Sequence, residues 1–265
     1  MQPDSWSIDG LAIHPTRTES STIREHLKRL PIFSGYASEV DAVLNIMERC
    51  RHWLPEEIGA ELSNAALQYN DAIYQEISHY GARQLVAQFR NYTGLETATD
   101  VQVIAAFALA NAIHALCGLA EHLITQGQEI PALEYYQMHL CCIEDYVPGA
   151  SVWLDPDENA ACCEIGDLAS AASRHAETKI DGVLSGIARR MELASRDRAI
   201  AGKALELVRA GTARHNLNSK LRAWQERETG VSLSKVQMGE VLKRIPWLLY
   251  TNPVHQQKSK VNVRD

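Results

Sequence analysis

The residues best able to do chemistry in this chain gather near its C-terminal end. Lys235, Gln237, Lys243 and Arg244 fall on one helical segment, and His255, Gln256, Gln257, Lys258 and Lys260 follow in a polar stretch. Lysine and arginine neutralise phosphates and release counterions from a duplex, while amides and imidazoles hydrogen-bond base edges and sugars. Spacing places Lys235, Gln237 and Lys243 toward base edges, with Arg244, Lys258 and Lys260 nearer phosphates. His255 and Gln257 are expected at the tip of the following segment, within reach of a minor groove. Glu240 stands among these cations and opposes phosphate.

Other chemistry-bearing groups lack the spacing their chemistry needs. Glu76-x-x-His79 puts a carboxylate and an imidazole on one helical face, as in di-iron bundles, but such a centre needs a second copy and two more glutamates. His114 and His122 are two turns apart rather than the i, i+4 pair of a zinc helix. Cys141-Cys142 and Cys162-Cys163 are adjacent pairs, and neighbouring cysteines do not readily point at one metal, even with His139, Cys50 and His52 as further ligands. We read them as small buried thiols, reduced in a cytoplasm. G-x-S-x-G, a Cys-His nucleophile signature and a glycine-rich phosphate loop are all missing from the sequence. No catalytic residue, metal or cofactor is therefore expected, and the chain reads as a non-enzyme.

The C-terminal cations need elements to hold them. Leu217, Leu221 and Trp224 recur at i, i+4 and i+7, a helical stripe that Gly230 closes. Ser234 with Gln237 makes a capping box for a second helix, whose Met238, Val241, Leu242 and Ile245 face inward. Pro246 ends it, and residues 247–251 and 259–263 read as two short strands around a polar tip. Helix, turn, helix and hairpin is the winged-helix plan.

The run LRAWQERETGVSLSKVQMGEVLKRI resembles the winged-helix domains that end phage and plasmid primase-helicases of the poxvirus type, through Leu221, Trp224, Gly230, Leu233, Ser234, Met238, Gly239, Leu242 and Lys243. It covers about a fifth of the chain. Those domains follow the second helix with glycine and an aromatic, where this chain has Pro246-Trp247. GxxxxGK[ST] does not occur, so the resemblance implies a DNA-binding module and not helicase or primase chemistry.

Charge divides the chain in the same place. Residues 196–265 hold 14 Lys and Arg against 6 Asp and Glu, whereas residues 1–195 hold 12 against 27. A basic end on an acidic body is the pattern of a polyanion-binding module joined to a part with another task. We expect a mainly α protein with two domains: an acidic all-helical domain over 1–194 and a basic winged-helix domain over 195–265. The body is expected to consist of successive helices, with residues 1–20 as an arm and breaks at Pro148-Gly149, 150–159 and 189–198. At its centre lies 100–126, capped by Thr99 or Asp100 and apolar almost all round. Gln102, Asn111, His114, Glu121 and His122 interrupt its run, which argues for a buried helix and against a membrane span. The N-terminus has neither the basic nor the apolar region of a targeting signal.

Double-stranded DNA is the expected partner, with a protein partner or self-association through the body, in replication, transcription or a mobile-element process. An alternative keeps the fold and makes the chain a structural subunit that contacts RNA or protein through its basic end. A third reading is a helical enzyme whose dispersed His, Glu and Cys residues meet only in three dimensions.

Overall fold

The computed structural model describes residues 6–93 and 96–245 of the chain. Among them it is mainly helical, with nine α-helices and one two-stranded hairpin. The chain forms two compact units, Met1–Val183 and Leu184–Asp265.

The N-terminal stretch, expected as an arm, is tied down by a hairpin. Asp9 (φ +46°) and Gly10 (φ +82°) close a tight turn between β1 (Ser7–Ile8) and β2 (Leu11–Ala12). Asp-Gly suits such a turn because both positions take left-handed backbone. The hairpin delivers Ile8 and Ile13 into the core. α1 (Ser20–Lys28) then starts with Glu19 at its N-cap.

α2 (Ala37–His52), α3 (Glu56–Tyr80), α4 (Gln84–Thr93) and α6 (Glu129–Ala150) all pack on α5 (Asp100–Glu121). The expected cap of α5 is present: Gln102 N donates to Thr99 Oγ1 at 3.4 Å, and Thr99 N donates to Gln102 Oε1 at 3.0 Å. A π-helical turn, His122–Gln126, prolongs α5 as far as Gly127. The most apolar 18-residue window of 100–126 is 89% buried against the rest of the protein. Val103, Ile104, Phe107, Leu109, Leu116 and Leu119 are fully enclosed.

One polar cluster is enclosed with them. Asn111 Nδ2 donates to Phe107 O at 3.0 Å, and Asn111 Oδ1 lies 2.9 Å from His139 Nδ1. The rings of His139 and His114 stack with centroids 4.9 Å apart, Tyr135 lies 4.7 Å from His139, and Trp6 lies 5.7 Å from His114. Burial, and then the neighbouring His114, lower the pKa of His139 to about 3.

Two expected breaks are helical instead. α6 continues through Pro148, which lies close to its end and lacks only the donor that proline must lack. The long loop expected at 150–159 is shorter, because Asp155 Oδ1 accepts from the backbone N–H groups of Asp157 and Glu158 at 3.0 Å each and so starts α7 (Pro156–Arg209). α7 is 54 residues long and passes through 189–198 without interruption. That stretch is polar, but Arg, Glu and Ala are good helix formers, and polarity alone does not stop a helix. Residues 188–195 are exposed on every side.

Candidate nucleic-acid interface

The second unit has a small core of its own. Ile200 and Ala204 of α7 meet Leu217 and Leu221 of α8 (Arg214–Thr229) and Met238 and Val241 of α9 (Lys235–Lys243), with Leu233 and Ile245 at its margins. These are the two stripes read from the sequence, and Trp224 and Leu242 cover them as half-buried neighbours. A third helix, the end of α7, completes the core.

Two glycine turns set the order of these helices. Gly211 (φ +78°) ends α7, with Thr212 N donating to Leu207 O at 2.9 Å and Gly211 N to Val208 O at 3.0 Å. That reciprocal pair satisfies carbonyls the helix end would otherwise leave open. Gly230 (φ +70°) ends α8, its N–H bonding Glu226 O at 2.9 Å. Side chains of α8 then fix the approach to α9. Arg222 Nε donates to Leu233 O at 2.7 Å, and Asn218 Nδ2 donates to Lys235 O at 3.2 Å. At the start of α9, Gln237 N donates to Ser234 Oγ at 3.1 Å and Ser234 N donates to Gln237 Oε1 at 2.9 Å. The capping box expected there is closed.

Residues advance by about 100° each around a helix. Met238, Val241 and Ile245 mark the buried side, so Val236, Glu240 and Lys243 share the row opposite, with Lys235 and Gln237 on its flanks. Lys235, Gln237, Lys243 and Arg244 are all exposed. Lys243 is paired with Glu240 at 2.7 Å, and that hydrogen bond holds the Glu240 carboxyl below the usual carboxylate range. Arg244 lies 3.5 Å from Asp197, which also binds Arg196 at 2.9 Å. All four are exposed in this unit, with Lys235 and Gln237 on opposite flanks of the row that holds Lys243. His255, Gln257, Lys258 and Lys260, and the two expected strands, lie outside the described residues.

Sequence reasoning passed over Val236 and Val231, which are 73% and 58% exposed. A usable signal existed: position 236 is two residues before Met238 and so falls on the far side of the helix.

Elsewhere, no group of three or more His, Cys, Asp or Glu among the described residues could hold a metal ion. Burial pushes the thiols of Cys142 and Cys162 up to about 12, far from the thiolate that coordinates metal or attacks carbonyls. No protein-family model, no curated protein and no solved structure matches this chain.

Proposed function

We propose that this chain is a non-enzymatic, DNA-binding adaptor or regulator of replication, transcription or a mobile-element process in a reducing cytoplasm. Its docking element is the α8–α9 pair. The observation that carries the reading is the outward face of α9, where Lys235, Gln237, Lys243 and Arg244 are exposed together above a small dedicated core. In helix-turn-helix docking the second helix enters the major groove with its N-terminal residues on base edges, and the first crosses the backbone. The basic surplus after residue 195 suits that use. In a full winged helix, residues 246–265 would supply the wing, and Lys258 and Lys260 would lie along phosphates. The acidic body would serve self-association or a protein partner.

A second reading, a structural subunit touching RNA or protein, draws on the pairing of Lys243 with Glu240 and of Arg244 with Asp197, which leaves fewer cations uncommitted. Mobility shifts of the full chain with duplex DNA, single-stranded DNA and RNA at matched salt separate the two. Under the DNA reading the duplex binds tightest, and its log affinity falls with log salt by about 0.9 per phosphate contact. Equal or tighter RNA binding, or a shift indifferent to salt, favours the subunit.

A further inference from the structure

We infer that Val236 reads the C5 methyl group of a thymine, so that the duplex this chain prefers carries a thymine opposite the first turn of α9. The inference rests on the DNA-binding reading above and deepens it.

Three observations converge on Val236. It is the most exposed of the large apolar side chains described, at 73%, and Val231 in the preceding turn is exposed as well. Local folding does not ask for it: valine is a weak helix former, and a side chain this far from the small core contributes little to packing. It also lies in the outward row opposite Met238, at the end of the helix that meets base edges in this docking geometry.

The chemistry of the occupant follows from the chemistry of the side chain. An isopropyl group neither donates nor accepts, so it cannot read the hydrogen-bonding groups of guanine, adenine or cytosine. Thymine alone among the four bases offers the major groove an apolar group. The surroundings of Val236 are polar and charged: Lys235 and Gln237 stand beside it, and along the same row Glu240, one turn on, is paired with Lys243, two turns on. That ring of polar groups, with Lys235 at the start of the helix as its cation uncommitted among the described residues, suits a groove edge around one apolar point of contact better than an apolar protein surface.

The test uses the full chain and the best-binding duplex recovered from a random pool. Each thymine is replaced in turn by uracil, which removes the methyl and leaves every hydrogen-bonding group in place. One position should lose about three- to fivefold in affinity, the worth of one buried methyl-sized group. With Val236→Ala that position should become indifferent to the methyl, while the salt dependence stays unchanged. A 5-methylcytosine placed at the same position should bind better than cytosine with Val236 and equally with alanine. The assignment fails if every thymine-to-uracil change is neutral, or if the loss persists undiminished in Val236→Ala. If no duplex gives a salt-dependent shift at all, the DNA reading itself falls, and this assignment with it.

Discussion

Glu39 of α2 and Lys179 of α7 meet at 2.7 Å although 140 residues separate them, and the Glu39 side chain is 1% exposed. Lys179 also donates to Gly35 O at 2.6 Å and lies 3.9 Å from the centroid of the Tyr36 ring. Tyr136 of α6 donates to the Glu39 backbone carbonyl at 2.9 Å. Glu39 thus joins α2 to α7 through its buried carboxylate and to α6 through its backbone carbonyl. Lys179→Ala should destabilise the first unit by about 3 kcal/mol, the lower end of the range for stranding a buried charge because the lysine is partly hydrated. Adding Glu39→Gln should recover part of that loss. Urea melts of the two variants provide the check, and a loss under about 0.5 kcal/mol for Lys179→Ala would show that His175, 3.5 Å from Glu39, suffices as partner.

Acid should loosen the same unit through His139. Its pKa is lowered in the fold from 6.5 to about 3, so the unfolded chain takes up the proton first. Its contribution is complete above the unfolded pKa and is lost as pH falls through 6.5 toward 3. Within that window the slope from this group approaches about 1.4 kcal/mol per pH unit. Urea melts between pH 7 and pH 4 should show a shallower decline for His139→Asn than for the parent chain.

At Gly118 a side chain has no room. A Cβ built there would fall 2.0 Å from the ring of Tyr135, so α5 and α6 approach through this glycine. Gly118→Ala should cost about 1–3 kcal/mol by overpacking, against the usual gain of alanine over glycine in a helix. Combining it with Tyr135→Ala should relieve the clash, and thermal melts of both variants measure the difference.

Gly239 presents the opposite case. A Cβ there meets only Asn218 Nδ2, at 3.9 Å, which is ordinary contact. Gly239→Ala should therefore stabilise α9 by up to about 1 kcal/mol. If α9 lies deep in a groove, the same change should weaken duplex binding. A variant that melts higher and binds DNA as well as the parent would place this part of the helix away from the bases.

What could be read from the sequence follows the strength of each local signal. α5 was legible because Thr99 or Asp100 marks its start and its apolar residues leave no broad polar face. The two stripes of α8 and α9 were legible because Gly230 and Ser234 punctuate them. The N-terminal hairpin was not, since strands of two residues give no alternation and only Asp9-Gly10 signals the turn. Polarity in 189–198 suggested a linker where only backbone breakers would have forced one. The Asn111–His139–His114 cluster was invisible because residues 28 apart are matched by helix packing alone. At the candidate interface, helical spacing put Glu240 among the cations, three residues before Lys243, with which it pairs. It did not disclose the Asp197 beside Arg244, which depends on how the end of α7 packs.

If α9 meets base edges as proposed, the capping box at its start limits the alphabet it can read. Recognition of an adenine edge by glutamine takes one donor and one acceptor from the same amide. The acceptor of Gln237 is already bonded to the Ser234 N–H. With the box closed, one lone pair of Gln237 Oε1 is committed and the amide plane is held by the cap, so the side chain can meet a base edge only in the orientation the cap allows. Turning the amide toward a differently placed edge would open the cap, and losing such a cap costs about 1 kcal/mol, comparable to the discrimination gained. Any selectivity from Gln237 would thereby be tied to the fraying of a single helical turn.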